Sequence, residues 1–154
     1  MDLVTLLTPE AVRVLPGITS KKRLFQELGE MFETTSDLPS GAAFDALQDR
    51  ESLGPTGVGN GVALPHARLS GVDDVTGLFV RLEKPLEFEA ADRQPVDLIF
   101  ALFAPEDSGV DHLKALALIS RSMRNPATCA KLRANSDPAT LYAILTDKQT
   151  TQAA

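Results

Sequence analysis

One cysteine and two histidines are all that this chain of 154 residues holds of the side chains that most often bind metals or attack substrates in their neutral forms. A single Cys129 excludes an internal disulfide and any cysteine-based metal site, fits a reducing compartment, and is expected to pack in the core. His66 and His112, with no His-x3-His or Cys-x2-Cys spacing, fall short of the three or four ligands that zinc requires. No metal is expected. The opening Met1-Asp2-Leu3-Val4-Thr5 lacks the basic start and apolar run of a signal peptide, and no segment is long enough to span a bilayer. A cytoplasmic protein without membrane insertion is the expectation. There is no surplus of positive charge: 21 acidic against 15 basic residues give a net charge of −6. That argues against nucleic acid as a partner and suits a basic protein. Repeats and low-complexity tracts are also missing. With 44% hydrophobic residues, the chain reads as one globular domain over residues 1–148, followed by a flexible tail at 149–154.

What is present is a regular alternation of helical and extended patterns. After Leu3 to Leu7, Thr8-Pro9-Glu10 can cap and start a helical turn. Val12 to Leu15 reads as extended and stops at Pro16-Gly17. Ser20 caps a helix whose Leu24, Phe25, Leu28, Met31 and Phe32 share one face. Its first turn, Lys21-Lys22-Arg23, places three cations where a helix dipole favours anions, either as a solvated face or as a docking surface. Ser40 caps a second helix with Phe44 and Leu47, which stops at Leu53-Gly54-Pro55 and leaves Arg50 in its last turn. Val75 to Leu82 is a strand that breaks at Lys84-Pro85, and Leu86-Glu87-Phe88 alternates as a short strand. Val96 to Phe103 is nearly continuous in apolar residues, so both of its faces should be covered. Asp111 is the expected cap of a helix whose first residue is His112. Asn125-Pro126 and Asp137-Pro138 start two final helices. The fold class is α/β, a mixed sheet between helix layers.

The stretch with the most chemistry runs from Thr56 to His66. Gly57, Gly59 and Gly61 alternate, suggesting a tight loop that something approaches closely. Pro65 biases Leu64 towards extension, so Val62 to Leu64 reads as a short strand with His66 emerging at its end. Alone, His66 after a glycine turn reads more often as a satisfied structural residue than as a functional one. Arg50 either complements the helix dipole or aims a guanidinium at the loop. His112, at a helix start, lies where unpaired N–H groups favour anions. Together, two imidazoles, a guanidinium, the Thr56 hydroxyl and the N–H groups of Gly59, Asn60 and Gly61 suit a phosphoryl group. Neutral imidazole is the nucleophile. The glycines lack the Gly-Lys-Ser/Thr ending of a mononucleotide loop and the spacing of a dinucleotide fingerprint, and there is no Gly-x-Ser-x-Gly elbow. No cofactor is expected.

Thr56-Gly-Val-Gly-Asn-Gly-Val-Ala-Leu-Pro-His66 resembles the signature of the fructose/mannitol-type enzyme IIA domains of the phosphoenolpyruvate-dependent phosphotransferase system (PTS EIIA type 2). Arg50-Glu51 upstream, Asp111-His112-Leu113 downstream and the Ser20-Lys21-Lys22 helix start extend the resemblance, the last towards the nitrogen-regulatory branch. The resemblance covers nearly the whole chain. It implies an α/β/α sandwich, a phosphorylated His66, and Arg50 and His112 in support. It also implies an HPr-like histidine phosphocarrier as donor and regulatory protein targets as readers of the phosphorylation state. The alternative within the family is a sugar-transport enzyme IIA that hands phosphate to a separate enzyme IIB. Two departures stand out: Pro55 where many relatives carry serine, and Ala67-Arg68 in place of a frequent Gly-Lys.

Overall fold

The computed structural model describes residues 1–34, 38, 39 and 41–147. The expected cap Ser40 and the tail at 149–154 lie outside the described residues. The centre of the molecule is the predicted apolar run, observed as strand β6 (Val96–Pro105). Every residue from Leu98 to Ala104 is buried, as a strand covered on both faces requires. On one side β6 pairs antiparallel with β5 (Thr76–Leu86), which in turn pairs parallel with β1 (Val12–Leu15). On the other side two short strands, β3 (Val62–Ala63) and β4 (His66–Leu69), lie one after the other along β6, both parallel to it. A hairpin arm, β2 (Gly57–Gly59), pairs antiparallel with β3. The result is a mixed six-stranded sheet.

Helices cover it. A first turn α1 (Leu3–Leu6) is followed by a 3-10 turn at Pro9–Ala11, which Thr8 precedes without donating or accepting a side-chain cap bond. α2 (Lys21–Glu33) starts at Ser20, whose hydroxyl accepts from the Arg23 N–H at 3.1 Å. α2 packs on α3 (Ala42–Ser52), and the pair lies against β5 and β4. Phe32 of α2 stacks on Phe103 of β6, ring centroids 4.3 Å apart. α4 (Val110–Arg124), α5 (Pro126–Arg133) and α6 (Pro138–Thr146) follow in succession and pack against β6 and β1. Asn125 caps α5 through its side-chain oxygen, which accepts from Ala127 N–H at 2.9 Å. Cys129 is buried, its thiol 3.1 Å from the Met123 carbonyl.

Three local expectations are corrected. β5 does not break at Lys84-Pro85 but runs through to Leu86, which pairs with Val96, so Leu86 to Phe88 is no separate strand. The register shifts between Arg81 and Leu86, and this irregularity absorbs the N–H that Pro85 cannot donate. The N-cap of α4 is Gly109, not Asp111, and no side chain caps it. His112 is therefore the third helical residue, still within the first turn. His66 is not the end of a strand but the first residue of β4.

Candidate functional site

His66 owes its orientation to an interruption in the ladder along β6. Between β3 and β4, Leu64 and Pro65 leave regular pairing, though the Pro65 carbonyl still accepts from Leu102 N–H at 2.9 Å. The Leu64 carbonyl is thereby free to meet the imidazole, and His66 Nδ1 lies 2.9 Å from it. A carbonyl oxygen only accepts, so Nδ1 carries the proton and the lone pair is on Nε2. Arg50, on the last turn of α3, donates its Nε–H to this Nε2 at 3.3 Å and a terminal N–H to the Gly54 carbonyl at 3.0 Å. Burial lowers the His66 pKa below its usual 6.5, and the Arg50 charge lowers it further. The Leu64 carbonyl and the Glu51 charge oppose them. The ring is held neutral.

His112 comes from the first turn of α4 and is 5% exposed. Its ring stands edge-on to that of His66, with centroids 5.5 Å apart and planes at 73°. Its Nδ1 is buried with no hydrogen-bond partner. Burial also lowers the pKa of His112, with smaller effects of the same sign from His66 and Arg68. Two neutral imidazoles and one guanidinium thus meet at one point from three elements.

Thr56 and Asn60, two of the other expected phosphate ligands, have hydrogen-bond partners of their own in the free protein. The Thr56 hydroxyl donates to Glu51 Oε1 at 2.6 Å, and the Thr56 N–H donates to Glu51 Oε2 at 3.0 Å. Asn60 and Gly61 form the two-residue turn between β2 and β3, both with positive φ (56° and 78°), the backbone for which Asn-Gly is preferred. Asn60 N–H donates to Asp92 at 2.9 Å, and its carbonyl accepts from Arg133 at 2.7 Å. Arg133 also grips Asp97 with two N–H groups. Gly59 lies against Asp92. The glycine stretch is therefore a braced hairpin that delivers the chain to Leu64-Pro65-His66, and Thr56 is part of its anchor.

Arg50 and His66 form a ridge between two clefts. One, of about 490 Å³, is lined by Asp49, Leu53, Arg68 and His112 among others. The second, of about 370 Å³, is lined by Thr56, Val58, Leu64 and the α4 residues Leu116, Ala117 and Ser120. Large apolar side chains stand exposed nearby: Leu53 at 84% and Val58 at 52% line the clefts, and Leu113, one residue beyond His112, is 64% exposed. These exposed side chains make an apolar collar beside the site. Sequence reasoning named Glu51 only beside Arg50 and Leu53 only in a helix stop, and gave neither a role at the site; the signal for Glu51 was its position directly after Arg50. Among the described residues, no group of three or more His, Cys, Asp or Glu side chains could hold a metal ion, and no helix is long and apolar enough to cross a membrane.

Comparison with known proteins identifies the family. Residues 5–148 match the family described as phosphoenolpyruvate-dependent sugar phosphotransferase system, EIIA 2. A nitrogen regulatory protein of Bradyrhizobium diazoefficiens is 44% identical, covering 94% of this chain and 95% of that protein. The nitrogen regulatory protein of Escherichia coli is 38% identical over 98% and 93% of the two chains. Among solved structures, the nitrogen regulatory protein IIA-Ntr of Neisseria meningitidis superposes with a TM-score of 0.86 at 39% identity, covering 94% of this chain and all of that one. Sequence and sheet topology converge: this chain belongs to the EIIA 2 family of the phosphoenolpyruvate-dependent phosphotransferase system and is similar to its nitrogen regulatory proteins.

Proposed function

We propose that His66 accepts a phosphoryl group from an HPr-like histidine phosphocarrier and that its phosphorylation state governs binding to regulatory protein targets. The observation that carries this reading is the fixed tautomer: Nδ1–H on the Leu64 carbonyl leaves the Nε2 lone pair at the ridge, beside Arg50 and His112. In the transfer, Nε2 attacks phosphorus and a new N–P bond forms. The N–P bond to the carrier breaks, and its electron pair returns to the carrier imidazole. No proton need leave His66, because its Nδ1–H stays on the Leu64 carbonyl and stabilises the phosphoimidazolium. The Arg50 Nε–H that meets Nε2 in the free protein turns to a phosphoryl oxygen. His112, with an unpartnered buried nitrogen, adds a second polar contact. Both act on charge that spreads over the equatorial oxygens in the transition state.

The regulatory half follows from the collar. Phosphorylation places negative charge and three acceptor oxygens amid Leu53, Val58 and Leu113. A target that buries these side chains against the unphosphorylated face then meets an anion it must desolvate. Incubation with enzyme I, carrier and phosphoenolpyruvate is expected to add one acid-labile phosphoryl group by intact mass. Label retained in His66→Ala overturns the assignment. For the switch, calorimetric titration of a captured target with both forms is expected to show at least about a tenfold difference, or 1.4 kcal/mol. Equal affinities would point to a sugar-transport relay instead.

A further inference from the structure

The cations at the start of α2 oppose the helix dipole, and the chemistry of His66 makes no direct use of them. They part company in the fold. Arg23 pairs with Glu27 one turn on, and Lys22 is exposed. Lys21 instead lies over the Phe88 ring, 4.6 Å from its centroid, and reaches Glu51 Oε2 at 2.9 Å. α2 has no acidic residue in its first turn, and Glu51 of α3 supplies that charge from outside.

Only 6% of the Glu51 side chain is exposed, and both of its oxygens are occupied. Oε1 accepts the Thr56 hydroxyl; Oε2 accepts Lys21 and the Thr56 N–H. From this carboxylate two routes lead to the same imidazole. On the first, the Thr56 carbonyl accepts the Leu64 N–H at 3.0 Å, and the Leu64 carbonyl holds His66 Nδ1. On the second, the residue immediately before Glu51 is Arg50, which donates to His66 Nε2. We infer that Glu51 is a positioning residue for phosphoryl transfer, fixing both ring nitrogens of His66 through Thr56 and Leu64 on one side and Arg50 on the other. This assignment rests on the reading of His66 as the phosphoryl acceptor.

The carboxylate also acts through its charge. Around the His66 ring stand Arg50 and Asp49 from α3, Arg68 from β4 and His112 from α4. Among the groups that move the His66 pKa, the charge of Glu51 favours the imidazolium, against burial and Arg50. Removing the Glu51 charge therefore lowers the His66 pKa. Loosening the site would do the opposite, because water admitted to the ring relieves its desolvation and raises the value towards 6.5.

Glu51→Gln keeps the shape and an accepting oxygen while removing the charge. NMR titration of the His66 ring is expected to show a midpoint below that of the wild type, and transfer from the carrier is expected to slow about ten- to hundredfold, the scale of a lost hydrogen bond to a charged group. A midpoint that is unchanged or raised, or a rate within about twofold of wild type, overturns the assignment. Should Glu51→Gln fail to fold, Thr56→Val removes one donor from the same route and leaves the charge in place. It is expected to slow transfer with the midpoint unmoved, and an undiminished rate overturns the route. A wild-type protein that accepts no phosphoryl group refutes the reading of His66 and the Glu51 assignment with it, whereas wild-type transfer that Glu51→Gln leaves undiminished refutes the Glu51 assignment alone.

Discussion

Arg50 is the residue whose replacement tests the geometry most directly. Its guanidinium makes two directed bonds, one to His66 Nε2 at 3.3 Å and one to the Gly54 carbonyl at 3.0 Å. The second bond holds the fork beside His66, and under the proposed transfer its remaining N–H groups are the donors to the phosphoryl oxygens. Loss of one oriented donor to a developing anion costs the transition state about 2.7 to 4 kcal/mol, so Arg50→Ala is expected to slow transfer on the order of 10²–10³ fold. Arg50→Lys restores a point charge but not the planar fork, and is expected to remain at least about tenfold below wild type. A confounding route must be separated. The Arg50 charge also lowers the His66 pKa, so its removal lets more of the ring protonate. Raising the pH restores a rate lost to protonation and leaves a rate lost to missing donors where it was. Rapid-quench measurement of single-turnover transfer at pH 7 and pH 8 distinguishes the two. Wild-type rates for Arg50→Ala at either pH, or full activity for Arg50→Lys, would refute the reasoning.

Three further outcomes are expected. Burial depresses the pKa of both His66 and His112, so below 6.5 the unfolded chain binds more protons than the folded one. The stability from the two neutral rings is therefore complete above 6.5 and declines as the pH falls below it, by at most about 1.4 kcal/mol per pH unit for each ring. Urea midpoints at pH 7.5 and 5.5 should fall less in His112→Gln than in wild type. Arg133→Met frees the Asn60 carbonyl and Asp97 together; with the pair partly exposed, thermal denaturation should report a loss of about 1–3 kcal/mol. Gly57→Ala drives a new Cβ to 2.7 Å from the Ala90 Cβ and 3.0 Å from its Cα, and should cost about 1–3 kcal/mol by chemical denaturation.

Much of this molecule is decided by short stretches of sequence. Ser20 and Asn125 cap their helices through their own side chains, because the donors they satisfy lie two or three residues away. The run from Val96 to Phe103 is buried throughout save Asp97, since apolar side chains on both faces of a strand leave no face for water. Asn60-Gly61 turns the chain because both residues tolerate positive φ. The break after Leu64 is likewise local, as Pro65 cannot donate to a ladder. At Pro85 a distant partner overruled the local signal, since Val96 pairs with Leu86 beyond it, and at α4 the start fell at Val110, ahead of the expected Asp111 cap. The meeting of Arg50, His66 and His112 is, like the crossing of Pro85, set by distant partners. It depends on β4 lying parallel to β6, on α3 packing over β4 and on α4 following directly from the end of β6. Lys21 shows the difference within one residue: its charge opposes its own helix, and it is satisfied only because the fold brings Glu51, thirty residues away, within 2.9 Å. Pairing across such separations is a property of the assembled sheet and its helix layers, which no window of neighbouring residues contains.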